Sequence, residues 1–276
     1  MKRVVSIQDL SCIGKCSLTV ALPVISAMGV ECAVVPTALF SAHTAFDTFF
    51  SLDVSGQMDA LGDQWRAMGL EFDAIYTGYL SSAQQVQRVC RWIERFRGEH
   101  TLVFVDPAMA DDGKLYAGLS ADFPAEMAKL CAMAVVITPN LTEARMLTGS
   151  PDSPDTPETL LSELHKLGAK QALLTGVVQG NQIGIVGMHG SCWRPHLQNT
   201  RPGTGDLFAS ACVGAMVQGI ALQAAAEIAA DFVLQSIRLT LQNPDARWYG
   251  TDFERALPFL IERVREERGY EAAFPV

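Results

Sequence analysis

The sequence has no uninterrupted apolar stretch of the roughly 20 residues that a membrane-spanning helix requires. Its most alanine-rich region, residues 220–230, is broken by Gln223 and Glu227 and reads as a buried helix instead. Positive charge is also scarce: 21 Lys and Arg stand against 30 Asp and Glu, for a formal net charge of −9. Nucleic-acid binders need basic patches to displace counterions from phosphates, so that class is set aside and any phosphate site has to be local. The N-terminal run Met1-Lys2-Arg3-Val4-Val5-Ser6-Ile7 meets Gln8-Asp9 before the apolar core of a secretory signal could form. The chain is expected to be cytoplasmic, without a membrane partner. Seven cysteines, odd in number and mostly flanked by apolar residues, suit reduced core thiols rather than a disulfide framework. Cys12 and Cys16 lie close together, but no second Cys or His pair completes a zinc site. A lysine-containing P-loop, internal repeats and low-complexity linkers are all missing.

What is present is 276 residues, 49% of them hydrophobic, enough for one large core and for a single domain over residues 1–276. Short β-branched runs alternate with longer stretches of helical periodicity, the pattern of a parallel sheet covered by helices on both faces. Strands are expected over residues 3–8, 31–37, 74–78, 102–106, 135–138 and 171–175. Helices are expected over 15–28, 55–68, 83–96, 124–132, 141–148, 157–167, 207–218, 222–241 and 252–268. Residues 182–188 and 191–194, on either side of His189-Gly190, read as an antiparallel hairpin added to the sheet. Residues 150–156 read as a surface loop. The expected fold class is α/β, a three-layer α/β/α arrangement with a mostly parallel central sheet.

In such sheets ligands sit outside the carboxyl ends of the strands. Those ends carry Gln8-Asp9, Thr37, Thr77-Gly78-Tyr79, Asp106-Pro107, Thr138-Pro139-Asn140 and Thr175-Gly176. Turn chemistry explains any one of them more easily than all six. The most informative stretch is Gly203-Thr204-Gly205-Asp206, which opens directly into an apolar helical run. Small residues let the backbone approach a ligand, and a helix start offers unpaired N–H groups at a positive dipole end. A carboxylate beside such an anion cradle opposes simple binding, yet serves as a base if a hydroxyl is to attack phosphorus. Phosphoryl transfer is the resulting reading. The late position of the motif excludes a dinucleotide fold, whose glycine-rich turn follows the first strand. Asp106 and Glu143 could meet in one crevice and hold magnesium with waters and phosphates. The competing structural reading has Asp106 starting a turn and Asn140 capping a helix with Glu143. Phe40-Ser41-Ala42-His43-Thr44 offers a hydroxyl, an imidazole and an aromatic ring to a small ring. Cys192, His189 and His196 lack an orienting carboxylate and are set aside as a nucleophilic site.

Taken in order, Ser6-Ile7-Gln8, Phe40 to Thr44, Thr77-Gly78-Tyr79, Asp106-Pro107, Ile137 to Asn140 with Glu143, and Gly203 to Ala209 resemble the vitamin B6 (pyridoxal/pyridoxamine) kinases of the ribokinase-like superfamily. The Gly-Thr-Gly-Asp piece is shared with the superfamily, whereas Phe-Ser-x-His-Thr and Thr-Gly-Tyr point to the B6 branch. The resemblance implies ATP-dependent phosphorylation of the hydroxymethyl group of a B6 vitamer, with Asp206 as base and Gly203, Thr204 and Gly205 steadying the transition state. It implies Mg2+ held by Asp106, Thr138 and Glu143, directly or through water. It places Asp106, Asn140, Glu143, Thr175, Gly203 and Thr204 at the nucleotide, and Asp9, His43, Thr44 and Tyr79 at the pyridine ring. A monovalent cation is a candidate further component, a homodimer the expected assembly, and loops 109–115 and 176–182 the segments expected to close over the site. Two positions depart from the pattern. Asp9 stands where these kinases commonly carry a serine facing the ring nitrogen, which keeps a hydroxymethylpyrimidine kinase of thiamine synthesis open. Ala110 replaces a glycine usual after Asp-Pro. A non-catalytic B6 or nucleotide sensor is the third reading, and Asp206 speaks against it.

Overall fold

The computed structural model describes residues 1–149, 156–197 and 201–269. The surface loop expected over 150–156 therefore lies outside the described residues apart from Thr156. The strands are β1 (Arg3–Ser11), β2 (Glu31–Phe40), β3 (Ser51–Asp53), β4 (Ala74–Thr77), β5 (Leu102–Val105), β6 (Ala110–Asp111), β7 (Lys114–Leu115), β8 (Val136–Ile137), β9 (Gln171–Gln179), β10 (Gln182–Gly187) and β11 (Gly190–Pro195). The helices are α1 (Leu18–Ala27), α2 (Met58–Ala67), α3 (Ala83–Phe96), α4 (Phe123–Cys131), α5 (Leu141–Leu147), α6 (Pro157–Lys166), α7 (Thr204–Val217), α8 (Leu222–Leu241) and α9 (Leu257–Glu267).

One sheet runs in the order β11-β10-β9-β8-β5-β4-β1-β2-β3, and β6 and β7 form a separate two-stranded ribbon. From β9 to β2 all neighbours are parallel, while β3 and the β10–β11 hairpin add antiparallel edges. Strand residues alternate between two apolar layers, as the period of two demands. Val5, Ile7, Ile75, Val103, Val105 and Ile137 pack under α2 to α6. Val4, Ala74, Tyr76, Phe104 and Val136 pack under α1, α7, α8 and α9. Each fully buried Val, Ile or Phe among them contributes about 2 kcal/mol relative to exposure. Helix α7 is apolar all round because α1 and α8 flank it on the sheet, and it is buried from Leu207 to Ala215. The expected three-layer, mostly parallel α/β/α class is what forms.

The differences are local. β1, β2 and β9 run beyond their expected ends, to Ser11, Phe40 and Gln179. A register shift between Gln8 and Leu10 lets the β1–β2 ladder resume at Leu10 and Ser11, opposite Leu39 and Phe40. Segment 176–182, expected as a closing loop, is the end of β9 and a tight turn into β10. Segment 109–115 folds into the β6–β7 ribbon, turning at Asp112 and Gly113 with φ of 47° and 77°. Helix α1 starts at Leu18 rather than residue 15, because Ser17 takes a positive φ. Among the described residues no helix is long and apolar enough to cross a membrane. All seven cysteines are free.

Candidate active site

The chain steps from β1 outward to β2 and β3, then returns to β4 on the other side of β1. That reversal opens a crevice at the carboxyl ends of β1 and β4. Gly78, just past β4, leaves room for Gln8, whose side-chain oxygen a Cβ at position 78 would overlap. The first turn of α7 reaches the same crevice. Gly203, its N-cap, has φ 87°, and a Cβ there would collide with the carbonyl oxygen of Lys15. Two independent constraints therefore require glycine at this point. The Gly203 carbonyl accepts from Leu207 N–H at 3.1 Å, and no side chain caps the first turn. Its leading N–H groups are thus left to face a ligand. A Cβ at Gly205 would stand 3.8 Å from Asp106 Oδ2, so the strand-end carboxylate of β5 lies against this turn.

Three carboxylates converge here. Asp106 is buried, and its carboxyl is pushed well above its ordinary range by burial, then by Glu143 and Asp206. Glu143 is pushed up to about 8, chiefly by burial, against the pull of backbone donors at Asn140, Met109 and Ala110. Asp206 is half-buried at the crevice, and desolvation raises it to about 7; the Ser17 N–H opposes the rise and Asp9 adds to it. Ion pairs among the described residues involve none of the three. Buried like charges of this kind call for a positive partner. The buried Thr138 hydroxyl lies beside Asp106 and opposes the rise of its carboxyl. Among the described residues no three His, Cys, Asp or Glu side chains are close enough to grip an ion directly. The donor set therefore fits a hydrated divalent cation shared with phosphate oxygens, which keeps most of its waters.

The capping reading of Asn140 and Glu143 is realised in the structure. A complete capping box forms at α5: Asn140 Oδ1 accepts from Glu143 N–H at 2.9 Å, and Glu143 Oε2 accepts from Asn140 N–H at 2.9 Å. Asn140 Nδ2 donates to the Ala110 carbonyl at 2.8 Å, and Met109 N–H donates to Glu143 Oε1 at 3.1 Å. The cap thus fixes the β6–β7 ribbon over the carboxylates. Thr175 stands beside Asn140, with its N–H donating to the Pro139 carbonyl at 2.9 Å.

On the β1 side, Asp9 is buried with its Oδ2 accepting from Ser11 Oγ at 2.9 Å and its Oδ1 from Ser17 Oγ at 2.5 Å. Burial raises its carboxyl and the two hydroxyls oppose the rise. Tyr79 lies near it, its phenol pushed up to about 12 by burial and then by the Asp9 charge. Ring contacts run Phe49–Phe40 at 5.7 Å, Phe40–Tyr79 at 6.4 Å and Tyr79–Tyr116 at 6.3 Å, an aromatic wall suited to a flat ring. His43 is half-buried; burial lowers its pKa, and its Nδ1 accepts from Ala45 N–H at 2.9 Å, so the ring is neutral with its proton on Nε2. Thr44 is exposed beside it.

A family model described as phosphomethylpyrimidine kinase matches residues 20–247. The chain belongs to that family. The pyridoxine/pyridoxal/pyridoxamine kinase of Bordetella avium is 31% identical over 254 residues, covering 86% of this chain and 85% of that protein. The hydroxymethylpyrimidine/phosphomethylpyrimidine kinase of Bacillus subtilis is 32% identical over 198 residues, covering 67% of this chain and 69% of that one. The crystal structure of pyridoxal kinase from Lactobacillus plantarum is similar with a TM-score of 0.88 at 29% identity, covering 98% of this chain and 100% of that one. The expected kinship with B6 kinases and the ribokinase-like α/β fold are borne out. Membership of a kinase family implies a phosphotransferase that uses ATP, a divalent metal and a small-molecule acceptor.

Two crevice residues had no motif to announce them. Tyr116, just past β7, joins the aromatic wall, and its phenol is raised by burial and then by Glu143 and other carboxylates nearby. Ser17 has its hydroxyl on Asp9. A serine ahead of Leu18-Thr19-Val20-Ala21 is a helix-start signal, and it marks where α1 begins though not what the hydroxyl touches.

Proposed function

We propose that the chain transfers the γ-phosphoryl group of ATP to the hydroxymethyl group of pyridoxal, pyridoxamine or pyridoxine, giving the 5'-phosphate and ADP. The observation that carries this reading is Asp206: a desolvated carboxylate in the first turn of a helix whose free N–H groups face the same crevice. In this reading Asp206 takes the proton of the hydroxymethyl group as its oxygen bonds to the γ-phosphorus and the bond to ADP breaks. The N–H groups of Gly203, Thr204 and Gly205 meet the charge that develops, each well-placed donor worth about 3 kcal/mol. Asp106, Thr138 and Glu143 would hold Mg2+, through water where they do not reach it. The ion supplies charge neutralisation at the phosphates. Asn140 and Thr175 border the nucleotide side, with Asn140 acting through the ribbon it holds. Asp9, His43, Thr44 and Tyr79 form the ring side. A single kinase domain, a homodimer and a monovalent cation belong to the same reading on the strength of the family resemblance.

Asp9 favours a second reading. A buried carboxylate pairs with a protonated pyridine nitrogen, but equally accepts from the amino group of a pyrimidine. Steady-state turnover with ATP and Mg2+ across the three vitamers and hydroxymethylpyrimidine decides between them. A vitamer is expected to be the best acceptor. Turnover of hydroxymethylpyrimidine far above all three would overturn the B6 reading and leave the kinase chemistry standing.

A further inference from the structure

Helix α1 begins at a serine that does not use its hydroxyl to cap it. The Ser17 carbonyl accepts from Val20 and Ala21 N–H at 3.0 and 2.8 Å, as an N-cap carbonyl should. An N-cap serine usually turns its hydroxyl onto an N–H of the first turn, yet no side-chain cap forms at Ser17. The hydroxyl points away and donates to Asp9 Oδ1 at 2.5 Å. Doing so holds the backbone at φ 47° and ψ −132°, a region that glycine enters freely and serine does not. Strain at a buried residue persists only where the surroundings over-determine it.

The surroundings do so here. Lys15 Nζ donates to the Thr251 carbonyl at 2.8 Å and to Glu254 at 2.9 Å. The Lys15 carbonyl rests against Gly203 of the cradle. His43 N–H donates to the Ile13 carbonyl at 2.7 Å, tying the same segment to the loop after β2. Ser17 is thus the last link of a clamped bridge between β1 and the helix that carries Asp206, and its N–H faces Asp206.

We propose that Ser17 is a positioning residue for acceptor recognition, its hydroxyl fixing the Asp9 carboxylate toward the ring in register with the base on α7. The inference rests on the proposed role of Asp9 at the ring. Two hydroxyls and the Asp9 N–H donate to the Asp9 carboxylate, and a carboxylate has about four lone-pair sites, so the clamp orients the group without using it up.

Ser17→Gly separates this role from a structural one, because glycine keeps the N–H, suits the positive φ and removes the hydroxymethyl side chain with its hydroxyl. In the full-length protein with ATP and Mg2+, the expected result is a roughly tenfold rise in KM for pyridoxal. kcat and KM for ATP stay within about twofold, and Tm stays level or rises. Unchanged KM for pyridoxal would overturn the proposal. So would a joint loss in kcat, both KM values and Tm, which marks a structural role. A second cycle uses Asp9→Asn as background, where Ser17→Gly should add less than about twofold; a full tenfold rise there would also overturn it. Wild-type protein that fails to phosphorylate pyridoxal would remove the B6 reading and this inference with it. Wild-type turnover with an unmoved Ser17→Gly removes this inference alone.

Discussion

Replacing Asp206 with asparagine is expected to abolish turnover while making the protein more stable. Burial, opposed by the Ser17 N–H and aided by Asp9, raises the carboxyl from 3.8 to about 7. A carboxyl raised on folding binds its proton more tightly in the folded state, so its ionised form costs stability above the folded pKa. The cost shrinks as pH falls through that value and is gone below the unfolded one. A shift of about three units corresponds to roughly 4 kcal/mol, and because solvent reaches part of the side chain the usable figure is about 2 kcal/mol. Asparagine has nearly the same shape and no charge. At pH 8 it should therefore recover about 2 kcal/mol, a Tm rise of roughly 4–8 °C for a chain of this size. At pH 5, where Asp206 is already neutral in the folded state, most of that rise should disappear. Because an amide cannot take the acceptor's proton, kcat should fall by about 100-fold or more, while calorimetric ATP affinity stays near wild type. Calorimetric melts at the two pH values and single-turnover phosphorylation test both halves. A variant that keeps a tenth of wild-type kcat, or that melts lower than wild type at pH 8, would refute the reasoning.

The wild-type pH profile carries the same sign: only ionised Asp206 accepts a proton, so kcat/KM should rise through about pH 7 and be roughly tenfold below its plateau at pH 6. A flat profile between pH 6 and 8 counts against Asp206 as the base. Gly203→Ala is expected to lower Tm and raise KM for ATP, since φ 87° and the Lys15 carbonyl both exclude a Cβ. The strain is worth about 1–3 kcal/mol, and an alanine variant with wild-type melting and nucleotide binding would contradict the cradle geometry.

The layers of this fold were legible because apolar residues recur with the periods of strand and helix, and those periods survive any tertiary arrangement. The edges were not. β3 is three exposed residues that exist as a strand only because β2 lies beside them, and the extension of β1 depends on a register shift that no local pattern encodes. The site divides in the same way. Asn140 and Glu143 invited two readings from one spacing, cap or cation ligand, and the structure forms the cap. The cap pins one face of the Glu143 carboxylate to backbone N–H groups, leaving a desolvated charge beside Asp106. A capping box is written within four consecutive residues. The repulsion between Glu143 and Asp106 arises because β5, which leads to Asp106, lies beside β8, which leads to α5. Asp9 was legible as a carboxylate at a strand end, but its setting was not, since Ser17 reaches it only by leaving the helix that its sequence position implied. A residue whose local role is overridden in this way is where folding and recognition share the same hydrogen bond. Exchanging that serine for the residue its backbone would prefer is therefore the sharpest means of separating the two.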